Sequence, residues 1–198
     1  AEQQIVALCK TYLPKMGYEP MYDVQVLSPM HRNACGVERL NQLLQNAMNP
    51  LQEDMPEVVN GSRSFRLGDE VMQNKNNYDK GVFNGDIGYI VDLEPGRMLV
   101  HFGEELEAEY ESSEFNQLQL AYCMTVHKSQ GSEYPVVVLP LVSAHYIMLQ
   151  RNLLYTAVTR AKKLVILIGS KAALNTAVEN DRTRKRYTLL AERLGHRL

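Results

Sequence analysis

The sequence predicts an α/β protein: a parallel sheet flanked by helices, with a small antiparallel barrel or sheet inserted into it. Three observations carry this reading. The apolar runs "VVVLPL" (136–141) and "LVILIG" (164–169) read as strands buried on both faces, as strands of parallel sheets are. Between them, "RNLLYTAVTRAKK" (151–163) is helical in pattern and completes a βαβ unit. From about 65 to 120 the pattern changes to short alternating runs broken by Asn-Gly, Pro-Gly and Phe-Gly-Glu turns.

Taken in order, residues 3–13 place Ile5, Val6, Cys9, Tyr12 and Leu13 on one helical face. "YDVQVLSP" (22–29) reads as a buried strand ended by Pro29. "GVERLNQLLQNAMNP" (36–50) reads as an amphipathic helix with Val37, Leu40, Leu43, Leu44 and Ala47 inward, stopped at Asn49-Pro50. In the middle section, "DEVMQ", "DIGYIVDL", "RMLVHF" and "EAEY" are the strand candidates. The insert is expected at 83–119, with a start as early as 65, inside a domain formed by 1–82 and 120–198. The six glutamates between 104 and 114 read as a solvated hairpin face. In the helix 151–163, Leu153, Leu154, Ala157 and Val158 point inward. "DRTRKRYTLLAERL" (181–194) reads as a helix with a basic first half.

Composition narrows the function classes. With 45% hydrophobic and 22% charged residues, the 198-residue chain has the make-up of a globular protein with a core. A formal charge of −2 means that nucleic acid would have to be met by a local patch. Cys9, Cys35 and Cys123 are scattered, which fits a reducing cytoplasm and neither a disulfide scaffold nor a zinc site. No apolar run approaches the roughly 20 residues that cross a bilayer, so no membrane partner is expected. No acidic cluster suggests a nuclease. The chain's start at Ala1 is compatible with an excised fragment.

No G-x-x-x-x-G-K-[ST] occurs, and no glycine is followed by lysine. Without that phosphate cradle, the chain is not expected to bind and hydrolyse ATP by itself. "GDE" (68–70) reads as a turn opening the strand "EVMQ". The chemistry concentrates in "TVHKSQGSEYPVVVLPL" (125–141), where Thr125, His127, Lys128 and Ser129 crowd in front of a buried strand. Hydroxyls, an imidazole and an ammonium at this density suit phosphate oxygens. Gly131 allows close backbone approach, and Glu133 is a candidate acceptor for a ribose. Trp is absent and Phe and Tyr are dispersed, so no base-stacking cluster is evident.

The string T-x-H-x-x-Q-G-x-E followed by "YPVVVL" resembles motif V of superfamily 1 helicases. "LLYTAVTRAKKLVILIG" (153–169) resembles motif VI, and "VLSPMHRNACGVERLNQLLQNAMNP" (26–50) resembles motif IV of the RecD/TraA branch, the exodeoxyribonuclease V alpha chain group. "FRLGDEVMQNKNNYDKGVFNGDIG" (65–88) is similar to that branch's lead-in to its inserted barrel. The resemblance covers roughly residues 22–170. It implies the second RecA-like motor domain (2A), interrupted by a barrel of the Src-homology-3 type (2B). ATP and Mg would be held mainly by an N-terminal RecA-like domain of the same polypeptide.

By the same resemblance, Arg160 is the arginine finger and Arg32 a second γ-phosphate candidate, though His31 departs from the pattern of many relatives and leaves Arg32 open. Gln130, Gly131 and Glu133 match the nucleotide side of motif V. Thr125, His127, Lys128 and Ser129 match its DNA side, with Asn84 and Gly85 approaching the strand from the insert's hinge. The implied activity is 5′ to 3′ translocation on single-stranded DNA with duplex unwinding, in recombination and repair, with nuclease-helicase subunits as possible partners. Two other readings stand beside it. One is a stand-alone nucleic-acid-binding or adaptor module that kept the fold. The other is a relative acting on RNA, or the helicase part of a conjugative relaxase.

Overall fold

The structure is a computed structural model that describes residues 1–103 and 105–181. The basic helix expected from 181 onward therefore lies outside the described residues, apart from Asp181. In chain order the strands are β1 (Val24–Ser28), β2 (Glu57–Asn60), β3 (Arg63–Arg66), β4 (Glu70–Gln73), β5 (Ile87–Glu94), β6 (Arg97–Phe102), β7 (Leu106–Glu111), β8 (Leu118–Leu120), β9 (Cys123–Thr125), β10 (Tyr134–Leu141) and β11 (Ala161–Gly169). The helices are α1 (Glu2–Ala7), α2 (Leu13–Lys15), α3 (Pro20–Asp23), α4 (Val37–Met48), α5 (Arg151–Val158) and α6 (Lys171–Glu179). Among the described residues no helix is long and apolar enough to cross a membrane.

A parallel sheet runs in the order β11-β10-β1-β9. Successive side chains of its central strands go to opposite faces, as the pleat requires. Val26, Val136 and Val138 join Ile5, Leu13, Leu40 and Leu44 on the α1–α4 side. Leu27, Val137 and Leu139 join Leu153, Ala157, Ala173 and Ala177 on the α5–α6 side. That two-sided burial is why these strands are continuously apolar.

The antiparallel sheet runs β7-β6-β5-β4-β8. Its inward residues include Ile90, Met98, Val100, Phe102, Ala108 and Tyr110. An irregularity between Ile90 and Asp92 lets both Ile90 and Leu93 face inward, leaving Val91 in water. Glu107, Glu109 and Glu111 alternate with buried Ala108 and Tyr110, so the glutamate run is a solvated face over the described residues. The first and last strands of this stretch of chain, Glu70–Gln73 and Leu118–Leu120, pair with each other at one side of the sheet. Phe65, Val71 and Ile90 belong to the same hydrophobic cluster as Ile5 and Leu44, so the barrel's core is continuous with one face of the parallel sheet.

Several expectations fail for identifiable reasons. Tyr12 is 59% exposed because a π turn, Leu8–Tyr12, precedes Pro14 and shifts the helical face by a residue. Proline cannot donate to the carbonyl four residues back, and the wider turn absorbs that loss. The helix expected over 151–163 stops at Val158, and Ala161 already lies in β11. Val158 is thereby left partly in water, 38% exposed. On α4, Leu43 and Ala47 are only half-buried, whereas Asn41 and Gln45 are buried. The hairpin β2–β3 and the short strand β9 were not anticipated.

Candidate nucleotide and nucleic-acid interface

The strand register sorts the candidate residues onto two edges of the parallel sheet. Ser28 pairs with Thr125 at the C-terminal edge, and Tyr134 pairs with Ala161 at the N-terminal edge. From Tyr134 to the level of Ser28 is about 20 Å, six residues at roughly 3.3 Å each. The segment 126–133 returns from one edge to the other, so it touches both.

Within this segment the hydroxyls are structural. Thr125 Oγ1 accepts from the Lys128 backbone N–H at 3.2 Å, and Ser129 Oγ donates to the Val126 carbonyl at 2.8 Å. Thr125 is 6% exposed and Ser129 is fully buried, so neither presents a hydroxyl to a ligand, contrary to their expected DNA-facing role. They wind the loop, which turns repeatedly through Ser129 N–H to Thr125 O and Ser132 N–H to Ser129 O. His127, Gln130, Gly131 and Glu133 remain exposed, and Lys128 is half-buried. His127 and Gln130 line a polar cleft of about 100 Å³ with Gln150, Asn152 and Thr156 near and on α5. Such a volume admits a single small group and is well below a nucleotide site.

Arg160 sits where α5 gives way to β11, at the N-terminal edge. Its Nη1 donates to the Ser132 carbonyl at 3.1 Å and its Nε to the Thr156 carbonyl at 3.3 Å. The Arg160 carbonyl in turn accepts from the Tyr134 N–H at 2.8 Å. Arg160 is thus bonded to the end of the 126–133 loop. Glu133 forms an exposed ion pair with Lys162 at 3.3 Å, a contact of little strength that a ligand can displace.

Arg32 lies elsewhere. It follows β1 at the C-terminal edge, exposed, with only a 3.6 Å ion pair to exposed Glu38. The structure does not bring Arg32 to Arg160. The loop around Arg32 is nevertheless tightly built. Asn33 and Cys35 adopt positive φ, and a Cβ on Gly36 would sit 2.5 Å from the Arg32 carbonyl oxygen. Ser28 Oγ donates to the Cys35 carbonyl at 2.7 Å, Glu2 accepts from the Cys35 N–H at 2.9 Å, and His145 Nε2 bonds the Ala34 carbonyl at 2.8 Å. Burial holds the His145 ring below the usual histidine range despite the Ala34 and Pro140 carbonyls beside it.

The barrel meets this loop system directly. Lys128 Nζ donates to Asn74 Oδ1 at 2.9 Å, and Asn74 opens the loop that carries Asn84 and Gly85. Asn84 N–H is bonded to Asn76 Oδ1 at 2.9 Å, and Gly85, at φ +103°, donates to the Gln73 carbonyl. Desolvation first, and Arg63 second, lower the Lys128 pKa.

Other contributors carried no sequence signal. Asp69 accepts from Gln45 Nε2 (2.6 Å), Asn49 Nδ2 (2.8 Å), the Arg66 N–H (2.8 Å) and Tyr122 OH (2.8 Å), tying α4, β3 and the approach to β9 into one joint. The side-chain amide of Asn41 pairs with both the N–H and the carbonyl of Cys123, satisfying the sheet's edge strand as a further strand would. Buried polar residues on an amphipathic helix have no period to announce them. Among the described residues no group of three or more His, Cys, Asp or Glu could hold a metal ion. Cys9, Cys35 and Cys123 are buried free thiols, with burial pushing Cys9 to about 12.

Comparison with known proteins adds three findings. Residues 120–168 match the UvrD-like helicase C-terminal domain, and residues 40–102 match the SH3 domain of ATP-dependent RecD-like DNA helicases. Over 171 residues the chain is 40% identical to the ATP-dependent RecD2 DNA helicase of Deinococcus radiodurans, covering 86% of this chain and 23% of that protein. It is 32% identical over 160 residues to the RecBCD enzyme subunit RecD of Mycolicibacterium smegmatis, covering 81% of this chain and 27% of that protein. The chain therefore spans about a quarter of the length of these curated relatives. In fold it is similar to a Pif1 helicase from Bacteroides in complex with ADP-AlF3 and ssDNA (TM-score 0.55, 16% identity, 98% of this chain and 49% of that one). Pif1 helicase from Candida albicans is similar in the same sense (TM-score 0.51, 15% identity, 91% and 51%).

Proposed function

Because the chain belongs to the RecD-like helicases of superfamily 1, we propose that it forms the second motor domain, with its inserted barrel, of an ATP-driven enzyme that moves along single-stranded DNA and unwinds duplex. We take the motor domain to be discontinuous and the insert to run from Glu70 to Leu120, the span of the antiparallel sheet. An N-terminal RecA-like domain of the same polypeptide would supply the phosphate cradle. Recombination and repair in the cytoplasm, alone or in a nuclease-helicase complex, is the setting we infer from the resemblance to the exodeoxyribonuclease V alpha chain group.

One observation supports this most directly: a single loop is bonded at Lys128 to the barrel and at Ser132 to Arg160. Closure of a P-loop domain over the N-terminal edge would offer Arg160 to the γ-phosphate. There its planar guanidinium would offset charge on the transferred phosphoryl group, an effect of about 10³ to 10⁵ in rate for such arginines. To reach out, Arg160 must give up the Ser132 carbonyl, which loosens the loop whose other end holds Lys128 and His127. Gln130, Gly131 and Glu133 stand on the nucleotide side of that loop. Arg32, at the far edge, suits a DNA phosphate better than ATP, in company with Asn84 and Gly85.

ATP with Mg is the implied substrate. Apart from Glu133, which is paired with Lys162, the side chains here are guanidinium, amide, imidazole and ammonium groups, donors suited to phosphate oxygens, so most of the oxygen ligands that magnesium prefers would come from the other motor domain.

The test is turnover. ATPase is measured for this chain alone and for the longer natural polypeptide, with and without single-stranded DNA. We expect DNA-stimulated turnover only in the longer protein. Turnover by this chain alone would overturn the two-domain reading, and a longer protein without DNA-stimulated turnover would favour the adaptor reading.

A further inference from the structure

We propose that Tyr78 and Phe83 form a stacking platform for an unpaired nucleobase, one that the dispersed aromatic residues of the sequence concealed. This rests on the DNA-binding reading above and adds to it the element that reads bases rather than phosphates. The two rings lie 5.9 Å apart at 78°, edge to face, so together they make a corner. Tyr78 is 77% exposed and Phe83 46%. Tyr22, Tyr146 and Tyr155 are also exposed, but each has a hydroxyl that water can satisfy, whereas Phe83 has none.

Hydrogen bonds brace the corner from several sides. Asn77 and Val82 exchange backbone bonds of 2.7 and 3.1 Å beneath it, with the Val82 side chain fully buried. Asn76 donates to Tyr78 OH at 3.3 Å and accepts from the Asn84 N–H at 2.9 Å. Asp86 takes the Phe83 N–H at 2.8 Å, and Lys80 is clamped to Glu114 at 3.0 Å. A preformed aromatic face loses little freedom on receiving a base, which is the condition for it to contribute to affinity.

Its position fixes the occupant. The loop begins at Asn74, the residue held by Lys128, so the Lys128 ammonium lies at the platform's root. Lys75, next to Asn74, is exposed and has no ion pair among the described residues. Cations at the root and apolar rings at the tip match a nucleic acid strand, whose phosphates and bases point opposite ways. A protein partner would use the rings without needing the cations.

The experiment is fluorescence anisotropy of this chain with a labelled oligothymidylate and with a strand of equal length whose central residues are abasic. Tyr78→Ala and Phe83→Ala are each expected to weaken binding to the thymidylate about fivefold to a hundredfold. Affinity for the abasic strand should be unchanged, and Tyr78→Phe and Phe83→Tyr should bind as the parent does. Circular dichroism confirms the fold of each variant. Alanine variants that bind both strands like the parent, or lose equally on both, overturn the platform while leaving the DNA reading intact. A parent chain that binds neither strand overturns the DNA-binding reading of this chain and the platform with it.

Discussion

Lys128 Nζ and Asn74 Oδ1, 2.9 Å apart, join two structures that the sequence separates by 54 residues: the loop leaving the parallel sheet and the loop of the inserted barrel. Lys128 is half-buried, and desolvation lowers its pKa, so its hydrogen bond to the amide oxygen replaces water that the ammonium has lost. The 126–133 loop is thereby tied to the barrel's rim.

Replacing His127 and Lys128 together by alanine should weaken single-strand binding and make it less sensitive to salt. Each lost phosphate contact reduces the slope of log affinity against log salt by about 0.7 for single strands, so a drop of roughly 0.7 to 1.4 is expected. Titrations at several salt concentrations measure it. An unchanged slope would return both side chains to a structural role.

In the longer polypeptide, Arg160→Ala should lower ATPase by about 10³-fold or more while ATP binding is largely kept. Arg160→Lys should not restore it, because an ammonium lacks the planar fork. Turnover that survives the alanine variant would remove Arg160 from the phosphoryl-transfer site.

Asp69→Ala should destabilise the fold by about 3 kcal/mol or more, since it strands donors from Gln45, Asn49, Arg66 and Tyr122 in a buried joint. Chemical denaturation gives the value. A loss below about 1 kcal/mol would show that the joint repacks.

Glu70 gives a pH signature. Its side chain is buried beside Cys9, Val26, Leu44, Met48 and Tyr122, and desolvation raises its pKa well above 4.5. The folded protein then binds a proton that the unfolded chain has released, so stability is greatest below the unfolded value and falls as pH rises from about 4.5 through the folded pKa. Glu70→Gln, neutral at every pH, should flatten that fall and be more stable than the parent near neutrality. Denaturation midpoints across this range test it, and a constant difference between parent and variant would contradict a raised Glu70 pKa.

Where the pattern was local, the sequence was readable. The runs at 136–141 and 164–169 lie in β10 and β11, and the alternating runs lie in β4 to β7. Arg160 stood out because it closes a specific string. Strand β9 was hidden because three residues carry no period, and it is held by Asn41, 82 residues away. The inward turn of Thr125 and Ser129 was hidden because a hydroxyl's type is the same whether it faces a ligand or its own loop.

By itself, then, the sequence determined the layer architecture, the inserted antiparallel unit and the polar string 125–133 that precedes β10. Period 2, period 3.6 and contiguous motifs are properties of neighbouring residues, and they survive without knowledge of the fold. The tertiary structure alone decided which edge each residue occupies. Parallel register put Arg32 and Arg160 at opposite ends of the strands, and packing of the barrel on the sheet put Lys128 against Asn74. It also made Tyr78 and Phe83 one surface, because a backbone bridge between Asn77 and Val82 folds five residues of separation into a ring-to-ring contact.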